Sequence, residues 1–495
     1  MAHEHFNYID GQWKASLSGR TFEDLNPANR TDVLGHIPRS DARDVDEAVK
    51  AARAHFPKWR QVPAPRRAEI MFRAAELMVK RKEELARLMT CEMGKVLKEA
   101  GGDVQEAIDM TYYIAGEGRR LFGQTTPAEL PDKFAMSVRV PIGVVAAITP
   151  WNFPLAIPTW KLIPALVAGN TVVFKPAEDT PLMGQRLVEI LLEAGLPEGV
   201  LNLVQGIGEE AGAALVRHPN ATLVSFTGSC ETGRAVAMAC AERHAKVSLE
   251  MGGKNPIIVM DDADLDLALE GAVWGAFGTT GQRCTAASRL VVHRSVLCEF
   301  TDRLVERAQR LRLGDGLLPT TDVGPLINEA QLQRVHGYTE LAKQEGARVL
   351  TGGYIYTEGE CEKGFFYAPT IFADVSVDMR IAQEEIFGPC PAIIVVSSLQ
   401  EAIDVANSTK FGLSSAIYTR DVNKAFIAMR DMEAGITYVN ASTIGAEVHL
   451  PFGGVKQTGN GHREGGTTVL DIFTEWKTLY IDYSGRLQKA QIDIG

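Results

Sequence analysis

The chain has 495 residues, 45% hydrophobic and 23% charged, and its 51 basic and 62 acidic side chains leave a net charge of −11. At roughly 150 residues per domain this length implies about three domains and excludes a small interaction module, while the composition excludes disorder over most of the chain. The mildly acidic balance gives no electrostatic reason to bind nucleic acid or an anionic membrane.

The opening MAHEHFNYIDGQWK lacks the basic start and apolar core of a signal peptide. From about residue 40, Val45, Val49, Ala52 and Phe56 recur at three- and four-residue steps, which predicts a helix capped by Ser40. A longer helix is predicted over 66–93, stopped by Gly94. Residues 140–160 carry no charge, but Pro141, Pro150, Pro154, Pro158 and Asn152 interrupt them. A spanning helix could not satisfy its backbone around those breaks, so a buried strand, a loop and a helix start are expected instead. Short β-branched runs follow at 143–148, 171–174, 201–204, 222–226 and 256–260, separated mostly by amphipathic stretches at about 181–194, 208–217 and 230–243. Such alternation indicates βαβ units and a parallel sheet. A second series from 290 to 440 (LVVH, IIVV, SAIYT, ITYVN) predicts a second α/β domain. The terminal TEWKTLYIDY (474–483) alternates like a strand with no partner nearby in sequence, so it should pair with an earlier insertion or another subunit.

The seven cysteines are Cys91, Cys230, Cys240, Cys284, Cys298, Cys361 and Cys390, with no C-x-x-C pair. That removes zinc-ribbon and thioredoxin motifs, no metal site is expected, and sparse unpaired cysteines suit a reducing cytoplasm. Cys284 lies in GTTGQRCTAASR, a Gly/Thr-rich loop, beside Arg283. A neighbouring positive charge favours the thiolate, which makes Cys284 a candidate nucleophile; the alternative is a small buried residue. Glu250 ends an apolar strand before Met251, Gly252 and Gly253, at the kind of strand end where ligands gather in open α/β sheets; a solvated charge is the alternative. GIGEEAG (206–212) resembles a dinucleotide fingerprint, but its G-x-G-x-x-x-G spacing is one residue too long. FTGS (226–229) places Gly228 and Ser229 at a helix start, a good phosphate site or an ordinary turn. Lys175 and Glu178 follow a strand and could reach ribose hydroxyls, or be two surface charges. In TPWNFP (149–154), Asn152 is framed by Trp151, Phe153 and prolines, which suits a side chain held to donate to developing charge, or a buried structural Asn. QEEIFGP holds Glu385 and Phe387, and PFGGVKQTGNG (451–461) is a further glycine-rich loop.

Taken together and in order, TPWNFP, KPAE, FTGS, LEMGGK, GQRC, EEIFGP and PFGG resemble the aldehyde dehydrogenase superfamily over roughly residues 7–484, with the NAD(P)-dependent semialdehyde branches close by. Glu250 and Cys284 are 34 residues apart, as that family's pattern requires. Two departures, Cys230 after FTGS and Met251 in LEMGGK, touch no catalytic atom. The resemblance implies an α/β fold with a Rossmann-like NAD-binding domain (1–122 and 142–252), an α/β catalytic domain (253–473), and a small β oligomerisation arm with a C-terminal tail (123–141 and 474–495). It implies that Cys284 attacks the aldehyde, that Asn152 and the Cys284 N–H stabilise the oxyanion, and that Glu250 activates the water that hydrolyses the thioester. It assigns Lys175 and Glu178 to the adenosine ribose, with Glu178 favouring NAD over NADP. Gly228 and Ser229 go to the pyrophosphate, and Trp151, Glu385 and Phe387 to the nicotinamide side; GIGEEAG becomes mostly structural. Phe153, Trp160, Thr285 and Phe452 would line the aldehyde tunnel, closed by IGAEVHL (444–450). Arg283 resembles a carboxylate-gripping Arg of the aminoadipate-semialdehyde branch, which points to an ω-semialdehyde acid as substrate; a structural salt bridge is its alternative. A homodimer or homotetramer is implied. A CoA-acylating enzyme, which would not need Glu250, and a catalytically silent binding protein on the same scaffold are the rival readings.

Overall fold

The computed structural model describes residues 3–493; Met1, Ala2, Ile494 and Gly495, which fall in the expected first domain and tail, lie outside the described residues. A seven-stranded sheet orders its strands Lys246–Glu250, Leu223–Thr227, Val144–Ile148, Thr171–Lys175, Leu201–Leu203, Asn7–Ile9 and Gln12–Lys14. The first five are parallel and the last two antiparallel. Both faces are covered. Val145, Ala147, Val172 and Phe174 pack against the helices Ala64–Lys80, Leu97–Glu117 and Ala156–Ala168. Val144, Ala146, Val173 and Val224 pack against Ala42–Trp59 and Cys230–Glu242. Burial on both faces is why these strands read as continuous apolar runs rather than alternating ones.

A second seven-stranded sheet orders Arg348–Thr351, Ile371–Ala373, Ala392–Val396, Ala287–His293, Asn255–Val259, Ser414–Tyr418 and Ile436–Val439, all parallel except the first. It is likewise sandwiched between two cores. The strand Thr474–Asp482 pairs antiparallel along its whole length with Lys133–Pro141, which also pairs with Gln124–Pro127. The partner of the terminal strand is therefore the earlier insertion of the same chain.

Several local expectations are corrected. The first helix is capped by Asp41, not Ser40: the Asp41 side chain accepts from Arg43 N and the Asp44 side chain accepts from Asp41 N, a capping box. Ser40 is buried, and its hydroxyl accepts from the Asn7 amide at 2.8 Å. Residues 66–93 form two helices, Ala64–Lys80 and Lys82–Met93, broken where Arg81 leaves the helical region (φ −106°, ψ 13°). No Gly or Pro announces that break, whereas Gly94 ends the second helix at φ +89° as its chemistry predicts. The 208–217 helix begins as a π-turn, Gly208–Gly212, before Ala213–Arg217. The second domain, expected to run to residue 473, loses its last turn: Val469–Phe473 packs into the first domain's core, with Asn170 Nδ2 donating to Phe473 O at 2.8 Å. No described helix is long and apolar enough to cross a membrane.

Candidate active site

In the first sheet the chain order reverses between Val144–Ile148 and Leu223–Thr227, and ligands of doubly wound sheets bind outside the carboxyl ends of the strands at such a point. Three motif loops leave the sheet there: Pro150–Trp151–Asn152 after one strand, Gly228–Ser229 after its neighbour, and Glu250–Met251–Gly252 after the outermost strand. Gly228 N donates to Glu250 O at 3.1 Å, tying two of the loops together. Ser229 caps the helix Cys230–Glu242 by accepting from Thr232 N at 3.1 Å, and the first-turn N–H groups, lacking intrahelical acceptors, make a ready anion site.

These loops and the second domain enclose a cavity of about 230 Å³, lined by Trp151, Asn152, Gly228, Ser229, Cys284, Glu385 and Phe387 among others. Glu385 reaches in from the second domain, accepting from Gly253 N at 3.0 Å. A Cβ on Gly252 would sit 2.1 Å from the Glu385 carboxylate, so that approach requires glycine. Phe387 stands edge-on to Trp151, with ring centroids 5.4 Å apart. It holds a left-handed backbone (φ +64°), costly for a side chain of its size. Gln331 donates to the carbonyls of Phe387 (2.7 Å) and Ile386 (3.1 Å), and Arg334 donates to that of Glu385 (2.7 Å), which fixes the loop. Lys175 and Glu178 stand outside this cavity, paired at 2.7 Å beyond the strand Thr171–Lys175. Burial pushes the Glu178 carboxyl up, but Lys175 and backbone N–H donors, Gly208 N among them, outweigh it and hold the carboxyl below its usual value. GIGEEAG is structural in this respect: it supplies Gly208 N to Glu178, and its Glu210 carboxylate pairs with Arg20 and Arg39.

A second cavity, of about 410 Å³, opens on the other side of Cys284. Its walls include Phe153, Trp160, Trp274, Thr285, Ile444 and Phe452, with Arg283, Glu250 and Glu106 among seven charged members. Trp160 and Phe452 meet edge-on at 5.4 Å. Ile444, Gly445 and Ala446 of the 444–450 loop also line it.

Cys284 lies on the wall common to both cavities. Its carbonyl accepts from Asn255 Nδ2 at 2.8 Å, and the same amide holds Ala286 O at 2.9 Å. Just before it, Thr279 (φ +52°) and Thr280 (φ +58°) are both left-handed, a rare state for β-branched residues. Thr279 N donates to the Glu99 carboxylate at 2.9 and 3.0 Å, and Thr280 Oγ1 donates to Gly324 O at 3.0 Å, so neighbouring elements hold the strained turn. Asn152 is buried, and its Nδ2 donates to Gln282 O at 3.1 Å, which leaves one amide hydrogen without a protein acceptor among the described residues.

The electrostatics correct one expectation. Arg283 is not among the groups that chiefly set the Cys284 thiol: it donates to Thr279 Oγ1 at 2.8 Å, lies 3.8 Å from Glu99, and is sandwiched by Phe153 and Trp274 at 5.2 and 4.9 Å. Burial, then the carboxyls of Glu385, Glu250 and Glu106, push the Cys284 thiol up to about 12. Glu250 is only 3% exposed, and neither carboxyl oxygen has a hydrogen-bond partner among the described residues. Burial and Glu464 push it well above the usual carboxylate range, against the opposing charges of Lys161 and Arg463. A Cβ on Gly453 (φ +148°) would lie 2.7 Å from Glu250 Oε1, so glycine there leaves the carboxyl its room.

Sequence reading missed Asn255, Gln331 and Glu99, whose work is second-hand: each holds a loop that holds a reacting group. It also missed the wall formed by Glu99, Gly102, Asp103 and Glu106, although their i, i+3, i+4, i+7 spacing marks one helix face in KEAGGDVQE.

Comparison with known proteins accords with this geometry. The aldehyde dehydrogenase family matches residues 13–479. The chain is 43% identical to the α-ketoglutaric semialdehyde dehydrogenase of Bacillus subtilis, over 96% of this chain and 98% of that protein. It is 41% identical to the 3-sulfolactaldehyde dehydrogenase of Pseudomonas putida, over 95% of each. The crystal structure of betaine aldehyde dehydrogenase from Staphylococcus aureus in complex with NAD+ superposes with a TM-score of 0.95 at 35% identity, covering 98% of this chain and 95% of that one. With one strand-end crevice, one aromatic cavity and a cysteine between them, and with likeness over nearly its whole length, the chain belongs to the aldehyde dehydrogenase family and is an oxidoreductase acting on aldehydes.

Proposed function

We propose that this enzyme oxidises an aldehyde bearing an acid group at its far end, an ω-semialdehyde acid, to the corresponding acid, with NAD as hydride acceptor and Cys284 as nucleophile. The observation that carries the reading is the place of Cys284 on the wall between a polar crevice at the strand ends and an aromatic cavity containing Arg283 and Glu250. The names of both relatives denote aldehydes with an acid group, one a carboxylate and one a sulfonate. Among the described residues Arg283 is the one cation packed between aromatic rings in that cavity, and its 3.8 Å separation from Glu99 is too long for a hydrogen bond.

The crevice residues fit a nicotinamide dinucleotide. Gly228, Ser229 and the helix start would meet the pyrophosphate, Glu385 the nicotinamide ribose, and Trp151 and Phe387 the ring. Lys175 and Glu178 would hold the adenosine ribose, where an ionised Glu178 accepts from a 2′-hydroxyl and repels a 2′-phosphate; this favours NAD over NADP. When bound, the cofactor supplies the hydride acceptor. The Cys284 sulfur adds to the aldehyde carbon as its proton passes to solvent water, giving a thiohemiacetal with an oxyanion. The free Asn152 amide hydrogen and the Cys284 N–H stabilise its oxyanion, whose collapse expels hydride and leaves a thioester. Glu250 takes a proton from the water that hydrolyses the thioester; its raised pKa makes it a stronger base near neutral pH than an ordinary carboxylate. A CoA-acylating enzyme would have no use for this buried, unpartnered carboxyl. A homodimer or homotetramer is supported by the exposed Phe134, Trp476, Tyr480 and Ile481 on the arm sheet, and a cytoplasmic location by seven free cysteines.

The reading is tested by NADH formation at 340 nm with each semialdehyde acid paired with a neutral aldehyde of equal length. The acids should be preferred, and Arg283→Ala should cost them about 10- to 100-fold in kcat/KM while sparing the neutral aldehydes, as expected for one charge-assisted hydrogen bond. Equal rates for acids and neutrals in the wild type would point to a broad apolar tunnel instead. Asn152→Ala should lower kcat by about 10²- to 10³-fold with every aldehyde, since it removes one oxyanion donor.

A further inference from the structure

One acid of the aromatic cavity has no part in the scheme above. Glu106 lies on the cavity face of the helix Leu97–Glu117, following Glu99, Gly102 and Asp103 at helical spacing. The other acids of that face are engaged. Asp103 pairs with buried Lys95 at 2.9 Å and accepts from Ala156 N at 2.9 Å. Glu99 holds Thr279 N and lies near Arg283. Across the cavity, Glu464 pairs with Lys161. No hydrogen bond or ion pair among the described residues reaches the Glu106 carboxyl; the Trp160 indole N–H adjoins it but has no acceptor within hydrogen-bond geometry. Arg283 is close enough to favour its charged form, and Glu106 is close enough to Cys284 to disfavour the thiolate. Glu106 thus lines the same cavity as the nucleophile and the aromatic-packed guanidinium, with only the Trp160 indole beside its carboxyl.

We propose that Glu106 is a specificity-determining residue whose carboxyl, as a neutral acid, donates a hydrogen bond to the distal oxyanion of the aldehyde beside Arg283. This rests on the ω-semialdehyde reading. An ionised carboxylate at that spot would repel the same oxyanion, so a single proton decides how well the cavity takes an anionic substrate. Burial, and then Asp103, push the Glu106 carboxyl up to about 8, against Arg283 and Lys95. The other charged groups on the cavity wall are Lys98, Glu99, Asp103, Glu250 and Glu464. With Glu106 protonated and both buried pairs neutral, Arg283 and Lys98 face Glu99 and whatever charge Glu250 carries; ionisation of Glu106 adds one negative charge beside Arg283. The sign follows: the acid substrate is favoured below pH 8 and loses ground above it.

The test compares 4-oxobutanoate with its methyl ester, and with 4-aminobutanal, from pH 6.5 to 9.5 with NAD. A group titrating near pH 8 passes from about one-tenth to about nine-tenths ionised between pH 7 and 9. The ratio of KM for 4-oxobutanoate to KM for the ester should therefore rise about tenfold over that range in the wild type. It should stay flat and low in Glu106→Gln, whose amide still donates. Titrations that act on the chemistry of all aldehydes alike cancel in the ratio, and the effect of any other cavity charge on the anion, that of Glu250 included, persists in Glu106→Gln. A ratio that is flat in the wild type, or that climbs equally in Glu106→Gln, overturns the proposal. So does a preference for 4-aminobutanal that Glu106→Gln removes, since Glu106 would then act as an anion. If acid and ester are equal at every pH, the ω-semialdehyde reading itself fails; if the acid is preferred but pH and Glu106 do not matter, only this inference fails. A second readout checks that the glutamine variant is intact and the placement right: loss of the Glu106 charge should move the iodoacetamide titration of Cys284 to lower pH, and no shift counts against it.

Discussion

Cys284→Ala is expected to lower aldehyde oxidation by on the order of 10⁴-fold or more, with the fold and NAD binding retained. An aldehyde carbon carries hydrogen and no leaving group, so hydride departs readily only when the carbon also bears an oxyanion. The thiohemiacetal supplies that state; a hydrated aldehyde held without a covalent bond supplies it poorly and unoriented. The substitution removes one sulfur at a residue whose structural work is done by its backbone, through the Asn255 amide on its carbonyl, so the loop should keep its course. The thiol is pushed up to about 12 by burial and the carboxyls of Glu385, Glu250 and Glu106. In the unliganded enzyme it is therefore protonated at neutral pH, and its alkylation by iodoacetamide should quicken steeply with rising pH. Fluorescence-monitored NAD titration and thermal melting check that the variant is folded, and the 340 nm assay reads the loss. A variant that keeps even one-tenth of wild-type turnover would remove Cys284 from the chemistry.

What could be read from sequence and what could not divide along a physical line. The strand runs of the first sheet were legible because burial on both faces makes VVAAI and TVVF apolar throughout, and Gly94 was legible because a left-handed helix end needs glycine. The break at Arg81 was not, because neither a glycine nor a proline marks it. Among site residues, those that face the cavities sit in short loops rich in Gly, Pro and aromatic residues, and stand out for that reason. Asn255 and Gln331 do not, because a side chain that holds a carbonyl from another element leaves no trace near the residue it serves. Arg283 shows the limit most clearly. Adjacency in sequence placed its charge beside the thiol, but the left-handed turn at Thr279 and Thr280 directs the guanidinium to Glu99, Phe153 and Trp274.

The second large effect concerns release of the acyl group. Glu250→Gln should give a burst of about one NADH per site at near wild-type rate, followed by steady turnover lower by about 10²- to 10⁴-fold, the usual contribution of a positioned general base. Attack by Cys284 releases the thiol proton to solvent and departure of hydride releases none, whereas hydrolysis of the thioester needs a proton taken from the attacking water. Glu250 is suited to that task by its setting: it ends the strand Lys246–Glu250 in the cavity wall, with no donor on either oxygen among the described residues, so its lone pairs are available. Burial and Glu464 raise its pKa well above the ordinary range. Steady turnover should accordingly fall on the acid side at a pH above that of a solvated glutamate, because the protonated form cannot act as base. Glu250→Gln should lack that acid limb, and the glutamine's similar size should keep the contact with Gly453 undisturbed. Rapid-mixing absorbance at 340 nm separates the burst from the steady phase, and adding CoA distinguishes the acylating alternative, which would restore turnover in the variant and release acyl-CoA. If the variant shows no burst and no loss of steady rate, water is activated by another group and Glu250 is a structural acid.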